Sequence, residues 1–368
     1  MNRLGPCRWA TSGSSVGYLR CAILTALFAI GTPALIAASG QPLRSPWDGK
    51  PIAATDAPYP CPAISHIAPD LVTDSFYRLD DPTHSIVDPV RMEAYRKSSG
   101  EVKAAGMAVV KAADEYRTSG SRQAAQCAMA QILVLAQEHS LTGKMSSNQA
   151  YYVQGWVVGA VAIAYLKVRE AGYATPEQTK VITKWLLSVG EQTKGYYDAH
   201  KRDGHGDGGN NHLYWAGIEI AAIGVAANDQ SDFGWAMAAY DNGIGQIQSD
   251  GTLPLEMARG SKALHYHLYA LAPLVLLAEF GEVNNLDLYA HANGSLHRLV
   301  NACVAGALNP APFEKATGVK QETSKILSGD QIGWAPPYVR RFPNADLARM
   351  IKAAPSLSVY YLGGLPPG

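Results

Sequence analysis

Gln149-Ala150-Tyr151-Tyr152-Val153-Gln154-Gly155-Trp156-Val157-Val158-Gly159-Ala160-Val161-Ala162-Ile163-Ala164-Tyr165-Leu166-Lys167-Val168-Arg169-Glu170 is apolar on several faces rather than on one stripe. A surface helix shows a single apolar stripe, whereas a helix that is apolar nearly all round must be enclosed by other elements. Its neighbours have the same period. Ser99 to Arg117 and Arg122 to His139 precede it, and Glu177 to Lys194, His212 to Ala227, Ser231 to Ile247, Lys262 to Phe280 and Asn285 to Val304 follow. Pro176 stands near the first turn of its segment, where proline is tolerated. Strand alternation is scarce and the connections are short. The pattern predicts an all-α stack of helical hairpins. Loose similarity between hairpins, Ala-rich and aromatic near the start, points to an α/α toroid.

Outward from these helices the chain has no Ser- or Pro-rich linker that divides it. One domain over 39–368 is expected, with 39–98 as an N-terminal loop and possible lid. Arg3, Arg8 and Arg20 precede an apolar run, Cys21 to Ala38, that ends in small residues. This is the layout of a secretory signal peptide, expected to be cleaved near Ala38. It implies a periplasmic or secreted protein with no membrane anchor after cleavage. The 31 basic residues lose those three arginines, leaving 28 against 31 acidic ones. A mature chain at −3 is not a nucleic-acid binder by global charge, and a polyanion would have to be met by a local basic groove. Of five cysteines, Cys61, Cys127 and Cys303 remain, and three cysteines allow three pairings.

Two further stretches carry chemistry. Gly208-Gly209-Asn210-Asn211-His212-Leu213-Tyr214-Trp215 is a glycine-rich turn feeding a helix start, where unpaired N–H groups favour an anion. Leu255-Glu256-Met257-Ala258-Arg259-Gly260-Ser261-Lys262-Ala263-Leu264-His265-Tyr266-His267-Leu268-Tyr269-Ala270-Leu271 lies downstream. If the helix continued back through Arg259, then Arg259, Lys262 and Tyr266 would share a face, and the cations would lower the phenol's pKa. His265 and His267 flank Tyr266 about 100° to either side, so at most one of them can face the same cleft.

Together the two stretches resemble the alginate lyase family of polysaccharide lyases, through Asn-Asn-His-x-Tyr-Trp and Ala-Leu-x-Tyr-His-x-Tyr-Ala-Leu with its preceding Glu256 and Arg259. The resemblance extends more weakly from about Cys61 to Tyr338. It implies an incomplete α/α toroid with a deep cleft, a Cys61–Cys127 disulfide with Cys303 free, and a lid within the N-terminal region. It also implies catalytic roles for Asn211, His212, Arg259 and Tyr266, with no cofactor or metal.

The expected chemistry is β-elimination on a polyuronate. Removing the C5 proton places a second negative charge beside the substrate carboxylate. Donors aimed at that dianion replace a metal. Asn211, His212 and Arg259 suit this task, and Tyr266 suits proton transfer. Substrate contacts are expected from Trp215, Lys262, His265, Arg202, Tyr338 and Arg91, with His265 placed to tune substrate choice or pH dependence. The substrate is an anionic polysaccharide, most simply alginate or polymannuronate, although another polyuronate such as polyglucuronate fits the same residues. A monomer is expected. The loop holding His200, Asp203, His205 and Asp207 matches no zinc motif. Two other readings differ in kind. An α/α-toroid glycoside hydrolase would need two flanking carboxylates, for which Asp207, Glu219 and Glu256 are available. A non-catalytic polysaccharide-binding protein would need none of these groups.

Overall fold

The computed structural model describes residues 40–368; the expected signal segment, 1–38, lies outside them. Among the described residues no strand forms, and extended backbone pairs only at isolated bridges. The helices are α1 (Pro89–Ser119), α2 (Arg122–Gln137), α3 (Asn148–Val168), α4 (Pro176–Arg202), α5 (Asn211–Ala227), α6 (Gln230–Gln246), the short α7 (Pro254–Met257), α8 (Ala263–Glu282) and α9 (His291–Leu308). The smaller α10 (Ala311–Thr317), α11 (Gly329–Ile332), α12 (Ala335–Arg341) and α13 (Ala345–Ala353) complete the chain.

Capping residues explain most of the starts. Asp88, Ser121, Ser147, Thr175, Asn210 and Asp229 each accept a backbone N–H from the first turn of the helix that follows. Pro89 at the first turn of α1 lets the Asp88 cap act ten residues earlier than the predicted start at Ser99. The expected N-terminal loop therefore ends at Asp88. α4 likewise runs on to Arg202, past the predicted end at Lys194.

The helices form two layers. α1, α3, α5 and α8 pack side by side in succession, and α2, α4, α6 and α9 cover them from outside. This is an incomplete α/α toroid, with α3, α5 and α8 buried along nearly their whole length. The inner layer is tight because α3 places glycines against α5. A Cβ on Gly159 would stand 3.1 Å from the Cβ of Glu219, and one on Gly155 would stand 2.7 Å from its carboxylate. The N-terminal strap is tied to α2 by the Cys61–Cys127 disulfide, while Cys303 is a buried free thiol. The C-terminal segment is pinned by Lys167, whose buried ammonium donates to Asp114 at 2.6 Å and to the carbonyls of Gly363 and Leu365 at 2.5 and 2.9 Å.

Candidate active site

The inner helices all begin at one rim, and a cleft of about 800 Å³ opens there. Tyr95 and Lys103 come from α1, Gln149, Tyr152 and Trp156 from the first turns of α3, His212 from the start of α5, and His265, Tyr266 and Tyr269 from the start of α8. Helix N-termini carry partial positive charge. They converge here with Arg259 and Lys103, in a lining that also holds Asp74, Asp207 and Asp330.

The start of α5 is built by the glycine-rich turn and by Asn210, whose side chain accepts the His212 N–H at 2.9 Å. Asn211 is fully buried and turned onto Glu256. Its backbone N–H donates to Glu256 Oε1 at 2.8 Å, and its Nδ2 lies 2.9 and 3.0 Å from the two carboxylate oxygens. Two oxygens of one carboxylate subtend too small an angle at a nitrogen to take both its protons, so one N–H is shared and the other is spare. Asn211 Oδ1 has no partner. The His212 ring stacks on Tyr152 with centroids 3.8 Å apart and planes 18° apart, with Trp156 beyond at 6.2 Å. Its Nδ1 is buried without a partner. The ring lines the cleft, so Nε2 is the nitrogen left for a ligand. Burial, and next Arg259, push the imidazole down to about 3, so it is neutral at ordinary pH.

Arg259 and Tyr266 meet, but not as spacing on one helix. The chain turns at Gly260, which has φ +57, and α8 starts only at Ala263. This fold-back lays the Arg259 guanidinium 3.6 Å from the centre of the Tyr266 ring. The expectation of a lowered phenol pKa is corrected. Burial of Tyr266 outweighs the pull of Arg259 and of the Tyr77 hydrogen bond, and the net shift is upward. His267 faces away from the cleft, accepting the Leu253 N–H at 2.8 Å and donating to Ala263 O at 2.7 Å, so only His265 of the flanking pair reaches it.

The segment Phe76–Asp88 folds over this corner. Its stem closes through Arg78 N–H to Ile86 O and Asp88 N–H to Phe76 O, both at 3.0 Å. Its tip is organised by Asp81, which accepts from the backbone N–H groups of Thr83, Ser85 and Ile86 at 2.9, 2.7 and 2.7 Å. The Tyr77 and Tyr266 hydroxyls are 2.6 Å apart. Arg259 donates from Nε to Thr83 O at 2.8 Å and from Nη2 to His84 O at 2.7 Å.

The expected substrate contacts divide. His265 lines the cleft. Lys262 stands one layer back, 4.9 Å from the centre of the Tyr77 ring. Trp215 is a core residue, buried against Tyr269 at 4.7 Å. Tyr338 is buried with its hydroxyl 2.7 Å from His297 Nδ1. Arg91 donates to Ser75 O at 2.9 Å and pairs with Asp74 in a separate surface groove. Arg202 is exposed at the end of α4, 3.4 Å from Asp203. None of these last four lines the cleft: Trp215 and Tyr338 are taken up by packing, and Arg91 and Arg202 lie outside it. In their place the cleft holds Tyr77, Tyr95, Lys103, Gln149, Tyr152, Trp156 and Tyr361. Gln149, Tyr152 and Trp156 were detectable in sequence, since steps of three and four put them on one face of an otherwise apolar helix. Lys103 donates to the Tyr95 hydroxyl at 2.6 Å, and burial pushes its ammonium down to about 8.

Of the acids a glycoside hydrolase would use, Glu219 and Glu256 are fully buried and do not line the cleft. Asp207 is engaged by Tyr152 and Tyr196 hydroxyls at 2.7 and 2.6 Å and by His200 Nδ1 at 2.8 Å. Among the described residues no three His, Cys, Asp or Glu side chains converge to hold a metal ion.

Comparison with known proteins bears on family and fold. A sequence model of the alginate lyase family matches residues 73–313. A polysaccharide lyase of Stenotrophomonas maltophilia is 34% identical over 299 residues, covering 80% of this chain and 86% of that one. Alginate lyases of Pseudomonas syringae and Azotobacter vinelandii are each 30% identical, covering 77% and 80% of this chain and 75% and 79% of their own. Alginate lyase A1-III from Sphingomonas species A1 shares the fold with a TM-score of 0.69 at 23% identity, over 85% of this chain and 87% of that one. A variant of alginate lyase A1-III complexed with tetrasaccharide gives a TM-score of 0.70 at 22% identity, over 84% and 86%.

Proposed function

This chain belongs to the alginate lyase family, and from that premise we propose that it is an exported enzyme which cleaves 1,4-linked polyuronates, most simply alginate, by β-elimination without a metal. The observation that carries the reading is the meeting of Tyr266, Arg259 and a neutral His212 at one cleft. Arg259 is proposed to neutralise the substrate carboxylate, which makes the C5 proton more acidic, with His212 Nε2 adding an N–H donor in the tautomer that carries its proton there, and Asn211, buried on Glu256, supporting the start of α5 behind them. Arg259 retains N–H groups beyond the two spent on Thr83 and His84. Tyr266 transfers the proton. Where the C5 proton and O4 lie on one face, Tyr266 serves both steps; where they lie on opposite faces, His212 in the other tautomer, with Nε2 unprotonated, is the base and Tyr266 the acid. Elimination yields an unsaturated uronate end.

Tyr266→Phe removes only a hydroxyl. It is expected to lower turnover at least about a hundredfold, within the range of general acid–base catalysis, with KM and circular dichroism little changed. Turnover is followed by ultraviolet absorbance of the conjugated product. Retention of more than about a tenth of wild-type turnover would remove Tyr266 from proton transfer. EDTA is expected to leave the rate unchanged. Inactivation by EDTA that a divalent ion reverses would show that the charge of Arg259 does not suffice.

A further inference from the structure

An imidazole that must hold one plane is commonly fixed by a hydrogen bond from its second ring nitrogen to a carboxylate or carbonyl. His212 has no such bond, because its Nδ1 is sealed without a partner. What holds the ring is the face of Tyr152, 3.8 Å away. A stack resists tilting, but it fixes a plane only as well as the supporting ring is fixed. Tyr152 is fixed by its phenol, which donates to Asp207 Oδ2 at 2.7 Å. Asp207 is itself over-determined. It takes Tyr196 Oη on the same oxygen at 2.6 Å and His200 Nδ1 on the other at 2.8 Å, and it is about 9% exposed. Tyr196 is braced in turn by a stack on Tyr151 at 4.2 Å.

We infer that Asp207 is a positioning residue for the elimination, holding the His212 imidazole in plane through Tyr152 where other sites use a direct bond to the ring. The arrangement has a chemical reason. A carboxylate bonded straight to Nδ1 would favour the imidazolium, and a charged ring cannot accept a proton. Acting through a phenol one ring away, Asp207 orients His212 while leaving it the uncharged base. The inference rests on the lyase reading of this cleft.

The test uses the full mature chain and the polyuronate on which it is most active. Asp207→Ala and Tyr152→Phe are each expected to lower kcat about tenfold or more while KM moves less than about twofold, as for a group whose misplacement costs rate rather than binding. The double variant is expected to be no worse than the weaker single within about twofold, because both changes cut the same tether. Asp207→Asn keeps a carbonyl for the two phenols and is expected to restore most of the loss. Tyr196→Phe removes a bond to the same carboxylate oxygen, 2.6 Å against 2.7 Å, but does not touch His212, and kcat should stay near wild type.

A second readout needs no turnover. In spectra of histidine-labelled protein, with His212 assigned by its loss in His212→Asn, the ring protons should lie upfield through stacking on Tyr152. They should move downfield in Asp207→Ala and Tyr152→Phe but not in Tyr196→Phe. Losses that multiply in the double variant, a Tyr196→Phe defect equal to that of Tyr152→Phe, or an unmoved His212 signal in Asp207→Ala would overturn the inference. If Asp207→Ala does not fold, Tyr152→Phe and Tyr196→Phe decide the matter by the same two readouts. If wild-type protein cuts no polyuronate, the functional reading fails and the His212 shifts still decide the positioning role.

Discussion

A neutral His212 has consequences for how rate depends on pH. An unperturbed histidine titrates near 6.5, which would set an acid limb on substrates needing a separate base. Burial and Arg259 instead push the imidazole down to about 3, so it carries no charge anywhere between about pH 5 and 9. Tyr266 is shifted the other way, upward by burial. As pH rises toward its ionisation, the fraction able to act as base grows. The log of kcat/KM should therefore rise into the alkaline range on a syn substrate. His212→Asn should lower kcat/KM on an anti substrate by a factor that is nearly constant from about pH 5 to 9, giving parallel profiles. A limb near 6.5 that disappears in His212→Asn would show that His212 is more solvated than its stack on Tyr152 implies.

At the scale of one helix, α5 serves two ends. Its first turn delivers His212 to the cleft and sets Asn211 behind it on Glu256, and its middle must lie close against α3 and α4. Glu219 is the exception in that apolar middle. It is fully buried, accepts the Thr193 hydroxyl on Oε1 at 3.1 Å, and has no partner on Oε2. Burial pushes its carboxyl up to about 8 from an ordinary 4.5. Between those values the folded chain keeps a proton that the unfolded chain releases, so this residue's contribution to stability declines as pH rises from 4.5 to 8. Glu219→Gln copies the protonated acid without that cost. It should stabilise the protein by an amount near zero at pH 4.5 that grows to roughly 3 kcal/mol by pH 7, read from denaturant unfolding at several pH values. Equal or lower stability of the variant at pH 8 would mean that the carboxylate finds a solvated or paired state.

Across the whole molecule, the N-terminal strap packs Leu43, Trp47, Ile67 and Leu71 into the core, and the disulfide joins it to α2 over a separation of 66 residues. Closing a loop of that length removes about 4 kcal/mol of unfolded-state entropy on the chain-entropy model. Cys127→Ser should lose up to about that much stability and show a lower Tm. His212 and Tyr266 stand on α5 and α8, neither of which carries the bond, so turnover at 25 °C should survive. Loss of turnover without loss of helical dichroism would show that the strap positions the segment Phe76–Asp88 over the cleft.

The helical class, the buried character of α3, α5 and α8, and their boundaries within a few residues were present in the sequence, because apolar period and capping residues act over a single turn. So were His212, Arg259 and Tyr266 as residues that meet, through motifs whose types match carboxylate neutralisation and proton transfer. The sequence could not decide which aromatic and cationic groups face the cleft. Trp215 and Tyr338 are as aromatic as Tyr152 and Trp156, yet the first pair is packed inside and the second lines the cleft, and only the neighbouring helices make that distinction. Nor could it give the direction of the Tyr266 shift, which is a balance between Arg259 and burial. Local patterning determines which elements form and where they start. Burial, on which pKa, neutrality and access all depend, is a property of what the rest of the chain brings alongside.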